Sequence, residues 1–114
     1  GLTDEIRQNI RDRGQEFLQK FRQLQAEMPN VITNVQGTGL LFSVELDSRQ
    51  FKSHGSDSIE EYMRLHGINV IHGGENSLRY TPHFKITSAE IDLLVSATRQ
   101  ALLHGPVKAA AEAA

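Results

Sequence analysis

Apolar side chains recur every three to four residues through the first part of the chain. Leu2, Ile6, Ile10, Phe17, Phe21, Leu24 and Met28 fall on one stripe, and charged residues and amides fill most of the intervals. That period predicts an amphipathic helix over residues 3–28, with Thr3 as N-cap and Pro29-Asn30 as its end. Asp4 and Glu5 occupy the first turn, where the helix dipole favours acids. Gly14 interrupts the stripe at a cost of about 1 kcal/mol relative to Ala, so close approach of another backbone is expected there. The period then shortens to two. Residues 31–36 and 40–46 read as strands joined at Gly37-Thr38-Gly39. In the second strand Leu40, Phe42, Val44 and Leu46 share one face, and Ser43 and Glu45 take the other.

A polar loop over residues 47–55 leads to a second helix starting at Asp57 or Ser58, with Glu60 or Glu61 completing a capping box. Gly67 sits where a left-handed C-cap residue belongs, and Ile68 supplies the apolar contact that follows it. Residues 68–71 and 77–81 read as strands on either side of a turn at Gly73-Gly74-Glu75-Asn76. Thr87 and Glu90 form a capping box, with Ile86 and Ile91 as its hydrophobic staple. The last helix is expected to run to about His104, burying Ile91, Leu94, Val95, Thr98 and Leu102. The order helix, two strands, helix, two strands, helix predicts an α+β two-layer domain: a small, mostly antiparallel sheet of three or four strands with helices on one face.

Composition narrows the function more than the fold. The 114 residues carry a net charge of −2, and no basic cluster stands out. Arg7, Arg11, Arg13, Lys20 and Arg22 in the first helix are interspersed with acids and glutamines, the pattern of a solvated face. Nucleic acid and anionic membrane are therefore poor partners. The absence of Cys excludes disulfides, thiolate metal sites and Cys nucleophiles. No apolar run approaches the roughly 20 residues that cross a bilayer, and no secretory signal opens the chain, so a cytoplasmic location is expected. The start at Gly1 reads as a processed or excised piece. Residues 1–105 are expected to form one domain, and residues 106–114 a disordered Ala-rich tail too short to hold a helix in water.

Candidate chemistry reduces quickly to one residue. Gly37-Thr38-Gly39 begins like a dinucleotide-binding turn, but it lacks the third Gly and leads into a strand, where no helix N-terminus meets a phosphate. His66, His72 and His83 lack metal-ligand spacing, so no metal site is expected. No Ser stands in a nucleophile elbow. Arg79 remains. Strand alternation places Leu78 and Tyr80 on one face and Ser77, Arg79 and Thr81 on the other. Arg holds a planar carboxylate through two parallel bonds, as Lys does not. On residue type alone, carboxylate recognition and a structural or solvated Arg both remain open.

The segments Gln36-Gly37-Thr38-Gly39-Leu40, Gly67-Ile68, Leu78-Arg79-Tyr80-Thr81-Pro82 and Thr87-Ser88-Ala89-Glu90-Ile91, together with Gly14, follow one another over about residues 3–104. In that order they resemble the C-terminal small domain of the class III, fold-type I, pyridoxal-phosphate-dependent aminotransferases, the group of the ornithine, acetylornithine and 4-aminobutyrate enzymes. Gln36 stands where that family has an Arg, and His83 where it has the second Pro of a pair. The resemblance implies a parent reaction that moves an amino group between an amino acid or ω-amine and a 2-oxo acid through pyridoxal phosphate. It also implies that Arg79 lies at the active-site end of the small domain, binding a substrate carboxylate or pairing with a Glu of the large domain. Gly37 and Gly39 would form a structural turn near that site.

By the same resemblance the Schiff-base Lys, the Asp facing the pyridine nitrogen and the phosphate loop belong to the large domain. Alone, this chain is then expected to hold no cofactor, to carry no catalytic residue and not to transaminate. Its implied partners are that large domain and a second copy in a homodimer. The alternative is a free-standing, non-catalytic α+β module that binds another protein or a small carboxylate.

Overall fold

Among the described residues, seven elements follow in the expected order: α1 (Leu2–Glu27), β1 (Ile32–Thr38), β2 (Leu41–Leu46), α2 (Ile59–Leu65), β3 (Ile71–Gly73), β4 (Ser77–Tyr80) and α3 (Ser88–His104). The computed structural model describes residues 2–73 and 76–108. The strands form one antiparallel sheet in the order β1-β2-β4-β3. The expected α+β class is borne out, with the helices covering one face.

The covered face is built from an aromatic cluster. Phe17 and Phe21 of α1, Phe42 of β2 and Tyr80 of β4 are all buried. The Phe17 and Phe42 rings stack at 3.7 Å between centroids, and Phe21 meets Tyr80 at 5.2 Å. Each such Phe contributes about 1.5–3 kcal/mol through burial. Val44, Leu46, Leu78, Ile91 and Leu102 extend this core beneath α3.

Three boundaries differ from the sequence reading. The third strand, expected over residues 68–71, is β3 at Ile71–Gly73. Ile68 N–H is bonded to Met63 O at 2.9 Å and Gly67 N–H to Arg64 O at 3.1 Å, closing a Schellman turn on α2. The ladder therefore starts only where Ile71 reaches Arg79. The β1–β2 ladder runs on to Thr38↔Leu41, leaving Gly39-Leu40 as the turn, with Gly39 at φ 59°. Gly37 lies inside the ladder opposite Phe42, and a Cβ there would sit 2.4 Å from Phe42 Cδ1. Its smallness makes room for a ring, whereas Gly39 supplies the left-handed backbone.

The third difference concerns α1. Phe17, Phe21 and Leu24 are fully buried, but Ile6 and Ile10 are only half-buried. The helix passes over the sheet's end at Gly14, where a Cβ would stand 2.8 Å from the Gly39 carbonyl oxygen. This is the close backbone approach expected at that residue. Beyond it, Ile6 becomes one wall of a cleft of about 380 Å³ against residues 84–88.

The turn expected over residues 73–76 lies partly outside the described residues, and its flanks Gly73 and Ser77 pair directly. Of the Ala-rich tail, residues 109–114 lie outside them too. Lys108 donates its backbone N–H to Gln50 O at 2.8 Å.

Candidate carboxylate-binding site

Strand β4 is held from one side and offers its other side. Tyr80 is buried on the helix face, with its hydroxyl 2.6 Å from Thr98 Oγ1. Thr98 Oγ1 donates to Leu94 O at 2.8 Å, so its single proton is used and the Tyr80 hydroxyl must donate to it. Burial pushes the phenol's pKa well above its ordinary value, with the Thr98 bond opposing. Tyr80 thus stays neutral and ties β4 to α3.

Arg79 points the other way. Its Cα partners are Ser43 on β2 and Ile71 on β3, and Ser43 in turn pairs with Gln36 on β1. Gln36, Ser43, Arg79 and Ile71 therefore form one row across the face that no described helix covers. The Arg79 side chain is half-buried, and among the described residues its guanidinium has no hydrogen-bond or ion-pair partner. It lies against Gly73, whose missing Cβ would fall 2.7 Å from Nε and 2.8 Å from both Cζ and Nη2.

The segment after β4 is fixed to α1 by contacts that sequence reading did not identify. Asn9 Nδ2 donates to Phe84 O at 2.8 Å and to Ile86 O at 3.3 Å. His83 Nδ1 accepts the Lys85 N–H at 3.1 Å, and its ring lies 4.0 Å from that of Phe84. The capping box at Thr87 is present as expected, with Glu90 N–H bonded to Thr87 Oγ1 at 3.2 Å. Arg13, Glu16 and Ser88 form a polar cluster beside it, and Lys20 bridges Glu16 to Asp92. The hydrogen bond from Lys20 is the main cause that lowers the Glu16 pKa, and those to Asp92 and then Glu16 raise that of Lys20. Asn9 carries no sequence signal, since an amide on a polar helix face reads as solvated.

Gly37 follows Gln36 of Arg79's row but belongs to the next rung of the ladder, and Gly39 lies beyond it in the turn. They close the far end of the β1–β2 hairpin, against Phe42 and Gly14 respectively. The lysines are dispersed. Lys52 Nζ donates to Ser56 O at 3.0 Å, Lys108 Nζ donates to Ser48 O, and exposed Lys85 sits 6.0 Å from the Phe84 ring centroid. Among the described residues no three His, Asp or Glu side chains are grouped to hold a metal ion. No described helix is long and apolar enough to cross a membrane. What this arrangement offers chemically is one bidentate cation on an open sheet face, flanked by the neutral polar residues Ser43 and Gln36.

Comparison with known proteins identifies the family and the fold. The family model "Aminotransferase class-III" matches residues 2–102. Acetylornithine aminotransferase of Thermosynechococcus vestitus is 28% identical over 101 residues, covering 89% of this chain and 24% of that protein. L-lysine-epsilon aminotransferase of Streptomyces clavuligerus is 32% identical over 89 residues, covering 75% of this chain and 18% of that protein. Among solved structures, the lysine aminotransferase from M. tuberculosis in its internal aldimine form superposes with a TM-score of 0.78 at 22% identity. That match covers 89% of this chain and 22% of the other, and it shows a shared fold. The chain thus spans about a quarter or less of the length of these relatives.

Proposed function

The chain belongs to the class-III aminotransferase family, and from that premise we propose that residues 1–105 are the small C-terminal domain of a larger pyridoxal-phosphate-dependent enzyme. The parent moves an amino group from an amino acid or ω-amine to a 2-oxo acid. Within it Arg79 meets a carboxylate, either of the substrate or of a Glu on the large domain. The observation that carries this reading is the Arg79 guanidinium, half-buried on an uncovered sheet face without a partner among the described residues. A cation so placed is completed by an anion from outside the chain.

The residues present do not by themselves fit pyridoxal phosphate. The cofactor takes a Schiff-base Lys with an acidic or basic partner for its pyridine nitrogen. Here Lys20 is committed to Glu16 and Asp92, and the other lysines lie on the surface away from any shared cavity with a buried acid. The cofactor therefore belongs to the remainder of the parent, and this domain contributes recognition and orientation. Alone it does not transaminate.

Arg79→Ala in the intact parent tests the role. Loss of a charge-assisted hydrogen bond costs about 2–4 kcal/mol, so kcat/KM should fall about 30- to 900-fold. Arg79→Lys, which keeps the charge but loses the fork, should recover only part of it. An Arg79→Ala enzyme with unchanged kcat/KM would remove Arg79 from substrate recognition.

A further inference from the structure

The position of the Arg79 guanidinium is set by what is missing from its neighbour. Directly across β3–β4, Arg79 faces Ile71, which is half exposed. The guanidinium extends diagonally to Gly73, two residues along β3 on the same face, a reach that long side chains make across antiparallel pairs. A Cβ at Gly73 would come within 2.8 Å of three atoms, Nε, Cζ and Nη2, all at the tip of one side chain. Gly73 does not have a positive φ. Its backbone therefore does not require Gly, and the atoms a methyl group would meet first are those of the Arg79 fork.

We propose that Gly73 is a positioning residue: its bare backbone is the shelf that aims the Arg79 guanidinium at its carboxylate. This rests on the reading of Arg79 given above. Several features make the shelf specific. Ser77, the direct partner of Gly73, is buried, so that side of the shelf is filled. Glu45 pairs with Ser77 on the same face, and its Oε1 accepts the Thr33 hydroxyl at 2.5 Å. Among the described residues no ion pair between Glu45 and Arg79 holds the fork, and the contact with Gly73 remains to aim it. A methyl group at position 73 would leave the fold intact and rotate the fork out of register.

The test uses the intact parent enzyme with Gly73→Ala, Arg79→Ala and both together. A misaim on the order of 1 Å costs roughly 10- to 100-fold in rate. Gly73→Ala should therefore lower kcat/KM for the carboxylate-bearing substrate by about that factor, mainly through a higher KM, with thermal stability unchanged. In the double variant the atoms nearest the added methyl are gone, so its kcat/KM should equal that of Arg79→Ala alone.

A readout independent of turnover comes from the 114-residue chain itself. The Arg79 Nε–Hε resonance, identified by its absence in Arg79→Ala, should shift in Gly73→Ala while the amides of the core residues do not. If Gly73→Ala keeps kcat/KM within twofold while Arg79→Ala loses it, the shelf is wrong and the role of Arg79 stands. If Arg79→Ala loses nothing, the carboxylate reading fails and the shelf with it. A large drop in melting temperature for Gly73→Ala would also overturn the shelf, because it would make Gly73 a packing residue.

Discussion

Asn76 adopts a left-handed backbone, φ 54°, just before β4, and its side chain secures the loop that follows β2. Its Nδ2 donates to Phe51 O at 2.9 Å and to Leu46 O at 3.2 Å, and its Oδ1 accepts the Ser53 N–H at 3.0 Å. In the sequence it reads as a turn residue, which accounts for the backbone and misses the three bonds. Asn76→Ala should cost about 2–3 kcal/mol, from unsatisfied backbone groups plus the left-handed strain. Asn76→Gly, which keeps the backbone freedom but not the bonds, should recover the strain portion only. Urea denaturation of the three proteins separates the two contributions. Arg79 was legible in the sequence, because alternation alone puts it opposite Leu78 and Tyr80. Gly73 was not legible as its neighbour, because a diagonal contact between strands depends on register and on side-chain lean, neither of which a single strand's pattern encodes.

Each element was readable where its own periodicity or cap determines it, and was misplaced where a neighbour does. The Thr87 capping box and the Gly67 turn are local, and both stand as expected. The start of β3 depends on where β4 lies, so an apolar run beginning at Ile68 suggested a strand too early. The first half of α1 has the stripe of a core helix, but the sheet ends beneath Gly14, so Ile6 lines a cleft instead. The anchor between β4 and α3 is the element contact most open to measurement. Thr98→Val leaves the buried Tyr80 hydroxyl without an acceptor and should cost about 1–3 kcal/mol. In a double-mutant cycle with Tyr80→Phe the combined loss should fall short of the sum, because each variant removes the same bond. Strict additivity would mean the two hydroxyls are not coupled.

At the level of the whole molecule the two faces of the sheet have separate tasks. One carries the aromatic cluster and three helices; the other exposes Leu41 and Ile71, at 51% and 50%, around the row that holds Arg79. The fold is also tied together away from the sheet centre. Asp47 accepts from Gln50 and Arg49, while its own N–H bonds Val31 O at 2.8 Å, and Gln50 O holds Lys108. Those hydrogen bonds, the one from Gln50 foremost, hold the Asp47 carboxyl down to about 2. Because its folded value lies below the unfolded value near 4, its contribution is complete above about pH 4 and is lost as pH falls toward 2. Urea midpoints should therefore decline between pH 5 and pH 2, and Asp47→Asn should flatten that decline. An unchanged acid limb would mean the loop does not feel this carboxylate. Strand β4 draws a boundary of another kind. Its inward residues, Leu78 and Tyr80, are locked into the core, while Arg79, Ser43 and Gln36 border no packed layer among the described residues. A lineage can revise the outer row, one position at a time, without re-inventing the scaffold behind it, so change on that face and persistence of the fold can proceed independently on a strand only four residues long.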